Sequence, residues 1–184
     1  MRKVILSVLG QDQPGILAAV SRALLLQDCN IENVSQTILQ SIFGAIFIVS
    51  KPPDLPEETL GKSLRETLAH LCLDVAVKRF FPEKPKISPE ESQPFIITTR
   101  GPDKKGLVAG ISGVVAVHGG NITNLKAAFK GGDNPLNNIM IYEVDVPNSV
   151  PLRVFYENLN YKAAELGIEI NIQHRRIFET INRI

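Results

Sequence analysis

The stretch "QDQPGILAAV" at residues 11–20 returns, altered but legible, as "PDKKGLVAGI" at residues 102–111. Each version has an Asp, two variable residues, a Gly and then an aliphatic pair. A shift of 91 positions superimposes the two and extends the match, without a gap, over residues 3–34 and 94–125. Gly10 meets Gly101, Asp12 meets Asp103, Gly15 meets Gly106, and Asn30-Ile31 meets Asn121-Ile122. Most other positions exchange one aliphatic residue for another. Self-similarity at a fixed spacing marks a chain that builds one structural unit twice.

Working outward from the repeat gives the organisation. Residues 1–81 form the first unit and residues 94–184 the second. Residues 82–93, "PEKPKISPEESQ", are rich in Pro, Glu, Lys and Ser and read as a linker. Each unit opens on a short β-rich run, "KVILSVL" at 3–9 and "PFIITTR" at 94–100. A helix follows, with Ile16, Val20, Ala23 and Leu24, or Leu107, Ile111, Val114 and Val115, at helical spacing. Two strand-like runs come next, after a turn at Asn30 or Asn121. They are joined by a short hairpin around 41–44 in the first unit and by a longer loop, "KGGDNPLN" at 130–137, in the second. Leu60, Leu64, Leu68 and Leu71 line a second helix in one unit; Leu152, Phe155, Leu159 and Leu166 line its counterpart. Pro56 and Pro151 suit helix starts and Gly167 a helix end. Alternating strands close both units, through Val75 and Val77 and through Ile168, Ile170 and Ile172. The order βαββαβ predicts an α+β, ferredoxin-like unit with an antiparallel sheet and both helices on one face. That fold hosts many functions.

Composition narrows the field. A net charge of +1 gives no bulk attraction to nucleic acid or an anionic membrane. No apolar run approaches the ~20 residues of a membrane span, and the N-terminal run reads as a first strand in a cytoplasmic protein. Cys29 and Cys72 lack CxxC spacing and read as ordinary reduced thiols. His70, His118 and His174 have no metal-ligand spacing. No cofactor is expected.

The repeated phrase has a chemical reading. The first turn of a helix leaves backbone N–H groups unpaired, and they favour an anion such as a carboxylate. Gly15 and Gly106 have no side chain to block that approach. Asp12 and Asp103 can cap the free amides or accept a hydrogen bond from a ligand ammonium group. A purely structural reading is also open: the Asp as cap, the Gly relieving crowding, and Asn30 and Asn121 serving a tight turn.

Taken together, "DQPGIL…NIENV" and "DKKGLV…NITNL", in that element order, resemble the ACT domain, a small-molecule-sensing regulatory module. The resemblance covers both halves. As a free-standing pair the chain is similar to the glycine cleavage system transcriptional repressor family. The resemblance implies a non-enzymatic regulator of amino-acid metabolism or of its transcription. It implies an amino-acid effector (glycine or another small amino acid) and a regulatory protein partner; small units with limited cores profit from edge pairing, so the two units are expected to associate and the chain to form a homodimer. It places the effector where the loop after the first strand meets a partner unit. Carried over, that is Asp12, Gln13, Gly15, Ile16 and Leu17 with Asn30 and Ile31. The second set is Asp103, Lys104, Gly106, Leu107 and Val108 with Asn121 and Ile122. Lys104 and Lys105 replace Gln13 and Pro14, so the two sites need not take the same ligand.

Three other readings compete. An acylphosphatase-like enzyme needs an Arg in the first loop, and "GQDQPGI" has none. An RNA-binding module needs stacking aromatics on its central strands, which here are aliphatic and partly acidic, so Phe43, Phe47 and Tyr142 read as core. Nothing resembles a helix-turn-helix, and no direct nucleic-acid contact is expected. A protein-interaction adaptor with no ligand fits the same fold. The C-terminal "HRRIFETINRI" at 174–184 reads as a last strand and packed tail.

Overall fold

The computed structural model describes residues 2–81, 89–128 and 138–175. The chain divides into two compact units, Met1–Glu83 and Lys84–Ile184. The first unit contains β1 (Arg2–Gln11), α1 (Ile16–Leu26), β2 (Asn30–Leu39), β3 (Ile42–Lys51), α2 (Glu57–Thr67) and β4 (Asp74–Arg79). Its four-stranded sheet has the order β2-β3-β1-β4, all neighbours antiparallel. The second contains β5 (Ser92–Gly101), α3 (Leu107–Val117), β6 (Asn121–Ala128), β7 (Asn138–Pro147), α4 (Leu152–Leu166) and β8 (Glu169–His174). Its sheet order, β6-β7-β5-β8, is the same. Both units are the expected ferredoxin-like βαββαβ arrangement.

Alternation explains the cores. In β1, Val4, Leu6 and Val8 are buried; in β3, Phe43, Ala45, Phe47 and Val49 are. These residues face Ile16, Val20 and Leu24 of α1 and Leu60 and Leu64 of α2 in one cluster. In the second unit Phe95 and Ile97 of β5, and Met140, Tyr142 and Val144 of β7, pack on Leu107, Ile111, Phe155 and Leu159. Period 2 in the strands and 3.6 in the helices put both apolar sets on one seam.

The duplication extends to irregularities. The β2–β3 register slips between Ile31 and Asn33, and the β6–β7 register slips between Ile122 and Asn124, again 91 positions on. Asp28 (φ 54°) and Gly119 (φ 69°), also 91 apart, turn the chain out of the first helix. Asn30 and Asn121 are therefore not the turn residues they were expected to be; they are the first residues of β2 and β6. The hairpin turn of the first unit falls at Gln40-Ser41, with Gln40 at φ 56°, and Gly44 lies inside β3. The end of the expected linker is also shorter. Ser92 and Gln93 pair with Pro147 and Val146 at the start of β5. The backbone ladder there outweighs a polar composition that buries little. Residues 82–88, the long loop at 130–137 and the tail beyond Arg175 lie outside the described residues. Among the described residues, no helix is long and apolar enough to cross a membrane.

Close packing sets a test. A Cβ on Gly101 would stand 2.7 Å from Ile168 Cγ2 and 3.2 Å from its Cα, whereas one on Gly113 would meet nothing within 4 Å. Gly101→Ala should cost about 1–3 kcal/mol in urea unfolding by overpacking. Gly113→Ala, inside α3, should gain up to ~1 kcal/mol by helix propensity.

Candidate functional site

Each unit carries the same construction at one end of its sheet. β1 runs to Gln11, four residues turn the chain, and α1 begins at Ile16. The N-cap is Gly15, at φ 94° and ψ −5°; in the second unit it is Gly106, at φ 90° and ψ −2°. An L side chain is strained at such angles, whatever the space around it. The repeated Gly is therefore required by the backbone. It also leaves the approach clear, since a Cβ at either position would meet nothing within 4 Å.

The Gly supplies no side-chain cap, and the Asp residues do not replace it: no side-chain cap bond is formed at either helix start. Asp12 instead uses its backbone N–H, which donates to the Ser41 carbonyl at 2.8 Å. The first amide bound within α1 is that of Ala19, to the Gly15 carbonyl at 2.9 Å; in α3 it is that of Gly110, to Gly106 at 2.8 Å. The N–H groups of residues 16–18 and 107–109 precede these first intrahelical bonds, as at any helix start.

The contrast with α2 is informative. Its first turn carries Glu57 and Glu58. The hydrogen bond from its own backbone N–H holds the Glu57 carboxyl below the ordinary glutamate range, and Lys51 adds to the effect. The first turns of α1 and α3 carry no acidic residue. Those two helix starts offer an anion what α2 gives to its own side chain.

The expected residues divide into groups. Ile16 and Leu107 are buried, so only their main-chain groups face the loop. Leu17 and Val108 are 43% and 42% exposed and flank the helix start. Asp12 and Asp103 are exposed. Gln13 and Lys104 are tethers: Gln13 Nε2 donates to the Leu71 carbonyl at 3.1 Å, and Lys104 Nζ to the Leu166 carbonyl at 3.4 Å. Both bind the loop to the end of the second helical segment, where a cation also suits the carbonyl end of α4. Asn30 and Ile31 are not brought to the loop of their own unit. Asn30 pairs with Ser50, in line with Lys3, whereas Gln11 pairs with Ile42 at the opposite end of the sheet. Eight residues of strand separate the two ends, ~27 Å at the usual rise. Asn121, paired with Asp145, is displaced in the same way, and Ile31 and Ile122 pack against the two cores.

One residue at the loop end was not legible as functional. Asn138 begins β7 and pairs with Gly101, the residue before the "PDKKG" turn. It is 6% exposed, and neither its Oδ1 nor its Nδ2 has a hydrogen-bond partner among the described residues. The matching residue in the first unit, paired with Gly10, is Phe43. The insertion at 130–137 changes the offset between the units from 91 to 95, so only strand register reveals the pairing.

Each unit also has a groove between its two helices. The larger, ~420 Å³, is lined by Gly110, Gly113, His118, Asn158 and Tyr161 among others. Two of its polar side chains are matched internally: Asn158 Nδ2 lies 3.0 Å from His118 Nε2, and Lys162 Nζ lies 2.6 Å from Glu165 Oε2. The thiol of Cys29 and the phenol of Tyr142 are both pushed up by burial, the wrong direction for nucleophiles. The helix starts are the stronger candidates.

Comparison with known proteins places these units in context. The ACT-domain family model matches residues 2–78. A UPF0237 protein from Methanopyrus kandleri is 33% identical over 79 residues, spanning 42% of this chain and 88% of the relative. A crystal structure of an unknown protein from Galdieria sulphuraria superimposes with a TM-score of 0.74 at 22% identity, covering 94% of this chain and 98% of that one. A protein provisionally described as a glycine cleavage system transcriptional repressor superimposes at 0.64 and 18% identity, covering 94% and 96%. The last two establish a shared fold across both units.

The positive φ carries a prediction. Gly15→Ala should destabilise the fold by about 1–2 kcal/mol through backbone strain, although the added methyl touches nothing. Chemical unfolding of the apo protein measures this, and a neutral result would mean that the turn relaxes.

Proposed function

We propose that this chain, which belongs to the ACT-domain family, is a regulator that senses an amino acid at the start of the first helix of its units. The observation that carries the reading is the twice-built helix start, with a left-handed Gly, open space above it and no acidic residue in the first turn. A ligand carboxylate would accept from the amides of residues 16–18 or 107–109. The exposed Asp12 or Asp103 carboxylate is suited to the ammonium group. Such a protein changes shape or partner on binding and needs no catalytic group. Its output would be control of amino-acid metabolism or of its transcription through a regulatory protein partner.

A homodimer belongs to the same proposal. β2 is an edge strand, exposed along almost its whole length. Leu39 at its end is 74% exposed, Ile42 and Ile46 on the neighbouring β3 are 41% and 55% exposed, and Leu9 on β1 is 51% exposed. A long, partly apolar edge is normally paired or covered. A second copy of the chain fits that edge and would bring another unit to the loop.

The test is a thermal-shift screen against the twenty amino acids. A cognate ligand at about a hundred times its dissociation constant stabilises by roughly 2.7 kcal/mol, several degrees for units of this size. Leu17→Asp and Val108→Asp then place a carboxylate in the first turn of α1 or α3. A negative charge there suits the helix dipole, so apo stability should hold or rise by up to ~1 kcal/mol. The ligand shift should vanish at the affected unit. Full shifts in both variants would put the ligand elsewhere, and no shift in the unaltered protein would favour the ligand-free adaptor.

A further inference from the structure

The two units are alike in backbone but not in what lies beneath the helix start. In the first, the strand residues facing the helices at the loop end are Val8 and Phe43, with Phe47 further along β3 opposite Leu6, all buried and apolar. In the second, strand register puts Thr99, Asn138 and Tyr142 at the matching places, all at most 6% exposed. Tyr142 Oη reaches Met140 Sδ at 3.2 Å, a weak acceptor. Among the described residues Asn138 has no partner for either amide atom. Its parity with Met140 and Tyr142 puts it on the helix side of the sheet. Its pairing with Gly101 puts it at the end where the five residues of the "PDKKG" loop lead into α3.

A buried amide with neither donor nor acceptor satisfied is destabilising, and an apolar residue of the same shape would avoid the cost. The first unit carries such an apolar residue, Phe43. From the free first-turn amides of α3 and the unpartnered Asn138 beside the same loop, we infer that the second unit holds the effector site proper. Asn138 is its specificity-determining residue, and the first unit, closed by Phe43, does not bind the effector in this way. This rests on the amino-acid reading above and adds to it which unit binds and what reads the ligand. The ligand class is an α-amino acid. Its carboxylate accepts from the amides of residues 107–109 and from Asn138 Nδ2. Its ammonium group donates to Asn138 Oδ1. An amide supplies both halves of that pair within one side chain, and a carboxylate or an ammonium at position 138 could not.

Asn138→Leu tests the inference, because Leu keeps the volume and removes both polar atoms. With the amino acid that gives the largest shift in the twenty-member screen as probe, the variant should lose that shift, and its affinity by calorimetry should fall at least tenfold. The apo melting temperature should stay level or rise. In the unaltered protein with asparagine amides labelled with ¹⁵N, the side-chain NH₂ signal that is missing from Asn138→Leu should move on titration. If the variant folds poorly, the same signal is assigned in the unaltered protein through its correlations to the Asn138 backbone, so the readout does not depend on the variant. A full shift in Asn138→Leu, or an unmoved NH₂ signal, overturns the assignment to Asn138 and leaves the wider amino-acid reading intact. Loss of the shift in Leu17→Asp but not in Val108→Asp places the ligand in the first unit and overturns the inference. No shift with any amino acid overturns both.

Discussion

The left-handed glycine between strand and helix is the constraint on which each unit depends. At φ near +90° it turns the chain from the end of β1 or β5 straight into the first turn of α1 or α3. The helix then crosses back over the sheet with its apolar face down, and the core closes beneath it. The same dihedral removes the side chain from the helix start and leaves unpaired amides behind an open approach. One backbone requirement thus sets the turn and, at the proposed site, the open approach. The presence of this Gly in both copies is explained by folding alone. What differs between the copies lies at the loop end of the sheet, where the first unit has Phe43 and the second the buried Asn138.

The surroundings of the loop are more structural than their composition suggests. Gln13 and Lys104 differ in charge yet perform one task, fastening the loop to a carbonyl at the end of the second helical segment. A difference between the copies that reads as a change of ligand preference is, at that position, a conserved tether made with different chemistry. The real divergence is inside, where Val8, Phe43 and Phe47 give way to Thr99, Asn138 and Tyr142. Duplication keeps the frame because turn dihedrals, bulges and strand register are hard to change one at a time. Single side chains at the margin of a core are freer to drift toward a polar task.

Long-range placement also limits what one unit can do. The loop and Asn30 stand at opposite ends of a ten-residue strand pair. A ligand of amino-acid size held at the helix start cannot touch Asn30 of the same unit. The long exposed edge of β2 gives a second copy a surface to pair with, and in the proposed regulator that pairing is where a signal would pass.

By itself the sequence determined the duplication, the six-element order and the two cores. It could do so because these are encoded locally, in period-2 and period-3.6 patterns and in Gly and Pro at the ends of helices. It also marked the helix starts, because a Gly after an Asp at matched positions is a local signature. Its errors were of one kind: turns and ends set by competition between neighbours. Asn30 looks like a turn residue, but Asp28 takes the left-handed angle and Asn30 joins the ladder. Ser92 and Gln93 look like linker, but β7 offers them backbone partners. Only the tertiary structure decided which expected site residues meet. The separation of Asn30 from the loop follows from antiparallel register, and the position of Asn138 follows from pairing across an insertion. Neither is written in any short stretch of the chain, because both are distances between residues far apart along it.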